Sequence, residues 1–414
     1  MMSSVTFRKM HQKIATKKIE TEIILGPVTK QRVPTMYKLF CFFQTFWDKK
    51  YYFLFDNLHD VSAECLDAYT LFRYMQKKNI PCKYIVNIHN KLYKQIACDK
   101  DVIGIKGKKS LFKELFWNLL MARCVLGSSY NSSEDDELLR MNPEIEYVYL
   151  DHGVIFFNEA CVYRYTPQYF NKLIIKNNLE KDMLMRKSDW NIENLIPAGL
   201  PRWDNLKNTA KKKEIFLFFT WRGSFNPKYF EYVKQTSDVD LSIRNFEYFE
   251  KIKNLLHNKR LNALLKKYNV ELCYGVHHAL LDICKLDKEL FQNTNIRLAE
   301  IGNISREVKQ ASMLITDYSS IAFDFMYQNN PVLFYRMDVN DPNLCKEDKM
   351  NLENAISKDS FVYNCLYREE DVVDKIEFYI KNNFLLESKH AEKNRNFFYY
   401  KKNICEKIVK ALVK

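Results

Sequence analysis

The sequence predicts an α/β fold of two Rossmann-like domains facing a cleft, and three observations carry that prediction. From Tyr51 onward, short β-rich runs alternate with longer stretches of helical period, the pattern of parallel sheets covered by helices. The alternation stops at a polar, lysine-rich connector at 208–214 and restarts with the apolar run Ile215-Phe-Leu-Phe-Phe219. At 414 residues the chain suits two cores of ordinary size better than one.

The elements follow in order. In the first half, Tyr51-Tyr-Phe-Leu-Phe55 reads as a strand and 67–78 as a helix with Leu71, Tyr74 and Met75 on one face. Pro81 breaks the chain before a strand at 82–86. A short strand at 102–103, an apolar helix at 111–121 and a strand at 124–126 come next. The strand Tyr147-Val-Tyr-Leu150 leads into the loop Asp151-His152-Gly153, and a last strand at 173–175 precedes the loop 197–201. In the second half, strand 215–219 is followed by one helix at 246–268, a strand at 271–274 and a helix at 304–310. Strand 313–316, helix 321–328 and strand 331–335 complete it. Neither half carries the Gly-x-Gly-x-x-Gly fingerprint, which favours a two-domain, GT-B-like body over a single dinucleotide-binding fold.

Composition narrows the function. With 47% apolar residues, 14% aromatics and only 9 Gly and 10 Pro, the chain should be globular almost throughout. The balance of 64 Lys+Arg against 51 Asp+Glu leaves +13, which favours an anionic partner: nucleic acid, acidic headgroups or a phosphate-rich substrate. No recognisable RNA- or DNA-binding module is present, so nucleic acid is set aside. The 11 cysteines include no Cys-x-x-Cys pair, which argues against a disulfide framework or a structural metal and for a reducing cytoplasm. The longest apolar stretch, 39–47, is about half the ~20 residues a span needs and is broken by Gln44 and Thr45.

The most informative stretch begins at Leu314-Ile-Thr-Asp-Tyr-Ser-Ser320. An apolar strand ends in capping and hydroxyl residues, and an amphipathic helix starts at once. Such a junction presents backbone N–H groups and the positive end of a helix dipole at the carboxyl edge of a sheet, where anions bind. Thr316, Ser319 and Ser320 then become candidate donors to a phosphate; a plain helix cap is the alternative.

This segment resembles the T-D-Y-S-S-x-x-F-D-F signature of the CDP-glycerol glycerophosphotransferase (teichoic acid polymerase) family. Four further blocks stand in the family's order: Tyr149-Leu-Asp-His-Gly153, Gly199-Leu-Pro-Arg-Trp-Asp204, Leu217-Phe-Phe-Thr-Trp-Arg222 and Tyr274-Gly-Val-His-His278. The resemblance covers roughly residues 50–340. Val154, Phe219, His278 and Gly275 depart from the residues usual in those blocks, which bears on the polyol and the acceptor rather than on the fold.

The resemblance implies that His152 is the catalytic base, taking the proton of an acceptor hydroxyl as it attacks phosphorus, and that His277 is a second functional histidine. At its side His278 is a candidate donor-binding group. Arg222, at a strand end, has the fork to hold a phosphate. Gly153 gives the histidine loop its flexibility, and Arg202 and Asp204 are expected to pair with each other and fix their own loop. Asp324 either holds the cap region or meets the cytidine ribose.

The domains read accordingly: a basic and apolar segment 1–50, an acceptor-side domain 51–207, a nucleotide-donor domain 214–388, and a basic helix 389–414. That last helix, with Ile404, Ile408 and Leu412 on one face, crosses back over the domains or lies on anionic headgroups, as does the basic segment 8–18. The expected reaction moves a polyol phosphate from a CDP-linked donor to a surface polysaccharide or lipid-linked acceptor, releasing CMP, at the cytoplasmic face of the membrane. No cofactor is expected; Asp238-Val-Asp240 has metal-motif spacing but falls in a polar connector. A GT-B glycosyltransferase using a nucleotide sugar remains the rival reading.

Overall fold

The computed structural model describes residues 49–56, 67–106, 122–127, 145–151, 153–157, 170–206, 211–222, 224–225, 246–276, 293–299 and 304–413. The expected helix 111–121 and most of the segment 1–50 lie outside them. In the first half, strands β1 (Tyr51–Phe55), β2 (Cys82–Asn87), β3 (Val102–Ile105), β4 (Ala122–Gly127), β5 (Glu146–Tyr149), β6 (Lys172–Ile175) and β7 (Leu195–Pro197) form one parallel sheet. Their order is β3-β2-β1-β4-β5-β6-β7. In the second, β8 (Glu214–Phe218), β9 (Glu271–Gly275), β10 (Ile296–Leu298), β11 (Met313–Thr316), β12 (Val332–Tyr335) and β13 (Cys365–Leu366) form another, ordered β10-β9-β8-β11-β12-β13.

Both sheets are doubly wound, growing outward on one side of their first strand and then on the other. The order reverses between β1 and β4, and again between β8 and β11, and these are the points where such sheets open a crevice at their carboxyl edge. The central strands were legible because they are covered on both faces: β11 and β12 are buried at every residue and read as continuous apolar runs. Three short strands near the sheet edges, β7, β10 and β13, were not foreseen, since two or three residues with one exposed side leave no such run.

Helices α1 (Asp67–Lys77), α2 (Lys91–Ile96), α3 (Asn178–Lys187), α4 (Glu247–His257), α5 (Lys259–Tyr268), α6 (Ile304–Gln310) and α7 (Ala322–Tyr327) connect or cover the strands. They are followed by α8 (Lys346–Ile356), α9 (Glu369–Lys381), α10 (Ser388–Phe397) and α11 (Ile404–Leu412). The single helix expected at 246–268 is two, because Asn258 leaves the helical conformation at ψ 118° and its side chain caps the amide of Leu261 at 3.0 Å.

The C-terminal basic helix is also two. Asn403, left-handed at φ 57°, turns the chain into α11, whose Ile404, Cys405, Ile408 and Leu412 are buried against α1 and the turn Pro201–Asn205. Of the two readings of that helix, the structure takes the crossing-back one, and its apolar face is not available to a membrane. Asp204 is therefore engaged elsewhere than the sequence suggested: instead of pairing with Arg202, it accepts the amides of Ile404 and Cys405 at 2.9 and 2.8 Å, capping α11.

One apolar core runs through both halves, joining Leu54, Leu126 and Val148 to Leu314, Phe323 and Phe334. Its seam is aromatic: Phe156 meets Phe323 and Phe397 edge-on at 5.9 and 5.5 Å, and Phe157 meets Phe334 at 5.6 Å.

At the amino edge of the second sheet, Arg297 bridges Glu214 and Glu307 at 2.7 and 2.8 Å and also pairs with Glu271. Burial, together with these neighbouring carboxylates, pushes Glu214 up to about 8. Between the ordinary glutamate value of ~4.3 and that value, the folded chain holds a proton the unfolded chain has lost, so stability falls as pH rises through this window. Glu214→Gln is expected to flatten urea-unfolding midpoints between pH 5 and 8, whereas wild type declines; an unchanged slope would count against the protonated Glu214.

Candidate active site

At the switch point of the second sheet, the chain leaves β8 through Thr220, Trp221 and Arg222 and leaves β11 through Asp317, Tyr318, Ser319 and Ser320. Asp317, fully buried, joins the two exits. Its Oδ1 accepts the Thr220 amide at 3.0 Å, the Thr220 hydroxyl at 2.8 Å and the Tyr318 amide at 2.6 Å, and its Oδ2 takes Arg222 Nη1 at 2.6 Å.

Arg222 is not the exposed phosphate fork expected of it. Its guanidinium is fully buried, pairs through Nε and Nη2 with Asp338 at 2.8 Å each, and lies 4.7 and 5.2 Å from the rings of Tyr318 and Tyr248. Burial opposes its charge, but Tyr318, Asp338 and Asp317 outweigh that and raise its pKa. Arg222 shapes the turn, its guanidinium engaged with Asp317, Asp338 and the Thr220 carbonyl. The buried Arg336 secures the same turn, donating to the Asp317 carbonyl and pairing with Asp359 at 2.6 Å. Arg336, Asp338 and Asp359 were missed; the signal was a charged pair directly after the buried run 331–335.

Ser319 and Ser320 remain half-buried, while Thr316 is fully buried with a hydroxyl that finds no partner among the described residues. The carbonyls of the two serines accept the amides of Ala322 and Phe323 at 3.1 Å. Helix α7 runs for only six residues, stopped by left-handed Asn329, so its dipole contributes less than a helix over 321–328 would. Among the described residues of the junction, Ser319 and Ser320 carry half-buried hydroxyls.

From the first half, β5 delivers the loop of the first histidine block. Asp151 is fully buried in the left-handed region at φ 65°, and Lys176 holds its carboxylate at 2.6 Å. Farther along, Lys358 of the second half donates to the Phe156 carbonyl at 2.6 Å. Between them, a Cβ added to Gly153 would lie 2.8 Å from Ser320 Oγ. The histidine-glycine block and the serine block, 167 positions apart by number, therefore touch across the two sheets. His152, His277, His278 and the Asp238-Val-Asp240 stretch lie outside the described residues; Gly275 and Val276, just before His277, leave β9 beside β8.

At the first half's own switch point, the described amides at the start of α1 already have an acceptor. After β1, the Asp56 carboxylate accepts the amides of Ala68 and Tyr69 at the start of α1, at 3.0 and 3.1 Å, and the Tyr84 hydroxyl at 2.8 Å. A carboxylate already occupies the place a phosphate would take.

Asp324 and Arg202 tie the halves together. Arg202 reaches Asp67 in the first half and, through Nε and Nη2, Asp324 in the second at 3.2 and 3.1 Å. Trp203 Nε1 donates to the same Asp324 at 2.6 Å and its ring stacks on Tyr327 at 4.5 Å. The Asp324 carboxylate is thus engaged with the first half rather than with the cap region.

Residues 36–414 match the family described as CDP-Glycerol:Poly(glycerophosphate) glycerophosphotransferase. The chain belongs to this glycerophosphotransferase family. It is 26% identical over 390 residues to the minor teichoic acid biosynthesis protein GgaB of Bacillus subtilis, a match that takes in 89% of this chain and 40% of that one. The chain thus spans well under half the length of that relative. Among solved structures it is similar to the wall teichoic acid polymerase TagF, with a TM-score of 0.60 at 16% identity, covering 100% of this chain and 98% of that one. It is similar also to a UDP-GlcNAc 2-epimerase from Neisseria meningitidis bound to UDP-GlcNAc, with a TM-score of 0.52 at 12% identity, covering 88% and 99%. These likenesses extend over both halves and show the two-domain, GT-B-like fold of this glycerophosphotransferase family member.

Proposed function

We propose that the chain transfers a polyol phosphate, glycerol phosphate in the first instance, from a CDP-linked donor to a hydroxyl of a teichoic-acid-like surface polymer. The observation that carries this reading is the contact of Gly153 with Ser320, which brings the first histidine block against the serine junction in a chain of this family. The occupied cap of α1 supports placing the donor in the second half.

The reaction is a single displacement. The acceptor oxygen forms a bond to the phosphorus bearing the polyol, the bond from that phosphorus to the CMP oxygen breaks, and CMP leaves with the electron pair. His152 takes the acceptor proton. Ser319 and Ser320 donate to the diphosphate, and His277 with His278 stabilises the charge that grows on CMP. Arg222, Asp317 and Asp338 fix the turn that presents the serines. The transfer proceeds without a divalent cation, so activity survives EDTA.

A donor screen tests the proposal. With an oligo(glycerophosphate) acceptor, CMP is released from CDP-glycerol or CDP-ribitol, whereas UDP-sugars and CMP-sugars give no nucleotide. UDP release alone, or CMP from a CMP-sugar alone, would instead establish the nucleotide-sugar glycosyltransferase.

The setting is the cytoplasmic face of the membrane, where the basic segment 8–18 meets anionic headgroups and the acceptor is lipid-linked or capsular. Among the described residues no helix is long and apolar enough to cross a membrane.

A further inference from the structure

We infer that Lys176 is a positioning residue for the transfer, holding Asp151 directly and, through Glu180, Ile155, the residues that precede and follow the His152-Gly153 pair in the chain; this rests on the function proposed above. Three titratable side chains are buried together at the carboxyl ends of β5 and β6. Lys176 and Asp151 are each 1% exposed and Glu180 is 0% exposed, with Lys176 Nζ at 2.6 Å from Asp151 Oδ2 and 2.8 Å from Glu180 Oε1. Removing such groups from water is costly, and an apolar trio of the same volume would serve the core at least as well. What the ions supply is geometry.

That geometry is applied to the histidine loop at two points. Asp151, immediately before His152, sits at φ 65°, in the left-handed region that Asp enters more readily than most residues with a side chain. Lys176 grips the carboxylate of that residue. Glu180 then reaches the far side of the loop, where Oε1 accepts the Ile155 amide at 3.2 Å, while its Oε2 accepts the amide of Lys176 at 2.7 Å. Asn177 caps the amide of Glu180 at 2.8 Å, and the Lys176 carbonyl accepts the amide of Tyr399 at 3.1 Å. The trio is therefore itself anchored to α3 and to the C-terminal crossing. The residues on either side of His152 have different neighbours: Asp151 is paired within this trio, and Gly153 lies close against Ser320. Burial works against the Lys176 charge, but Asp151 and Glu180 more than restore it, and Lys176 remains an ammonium at working pH.

Three variants are compared with wild type by steady-state kinetics, using CDP-glycerol and an oligo(glycerophosphate) acceptor, with rates expressed per folded protein. They are Lys176→Arg, the charge-free triple variant Lys176→Met/Asp151→Asn/Glu180→Gln, and His152→Ala. The triple variant leaves none of the three as an unpaired buried ion, though a glutamine at position 180 can accept only one of the two amides that Glu180 accepts, and expressing rates per folded protein separates a kinetic loss from a folding loss. Its kcat is expected to fall about 100-fold, the scale of a misplaced catalytic group, with KM for CDP-glycerol within about twofold. Lys176→Arg recovers most of the rate. A triple variant with wild-type kcat, or one whose loss lies wholly in KM, overturns the positioning role while His152→Ala keeps its lowered kcat. A fully active His152→Ala overturns the base assignment on which the inference rests.

Discussion

Replacing His152 with alanine is expected to lower kcat for CMP release by about 10²–10⁴-fold, the range a positioned general base supplies, while CDP-glycerol affinity stays within a few fold. The expectation rests on the neighbours of His152. Asp151 is held by Lys176 and Gly153 lies against Ser320, and the substitution leaves both of these contacts in place. Donor affinity should survive, because the serine junction is built by Asp317, Arg222 and Arg336 from the second half. In wild type, kcat/KM should rise with pH as the histidine loses its proton, since the base works only when neutral. Stopped-flow or quench measurement of CMP across pH 5–8 reads both features. Retained wild-type turnover in His152→Ala would remove the histidine from the chemistry.

The second large effect is on stability. Arg222→Met should cost about 3–5 kcal/mol, because it leaves two buried carboxylates without their cation. Asp338 loses both of its bonds from Arg222, while Asp317 keeps Thr220 and the Tyr318 amide. Arg222→Lys should be destabilised too, since one ammonium cannot make the bidentate pair with Asp338 and still reach Asp317. Denaturant midpoints of the three proteins give the ranking, with wild type highest. A ligand-facing Arg222 predicts the opposite pattern, a stable methionine variant with weak donor binding.

What the sequence made legible follows from what a local pattern can record. Strands buried on both faces are apolar runs, so β1, β8, β11 and β12 could be read directly, and the five motif blocks fall where strands leave the two sheets. Pairings made by topology left no local trace. Arg202 lies two residues from Asp204, yet it pairs with Asp67, 135 positions away, and Asp324, 122 away, because the turn after β7 carries it to the seam between the halves. Arg222 looked like a phosphate fork because its strand end was visible and the carboxylates that enclose it, Asp317 and Asp338, were 95 and 116 positions distant. Asp56 likewise reads as an ordinary acid after a strand until the fold sets it against the amides of α1.

The most direct measurement of the central claim is the mass of the acceptor after incubation with CDP-glycerol, taken alongside the CMP released in the same tube. The account predicts one glycerol phosphate added to the acceptor for each CMP formed. CMP accompanied by free glycerol phosphate and an unchanged acceptor, or a hexose increment from a nucleotide sugar, would contradict it.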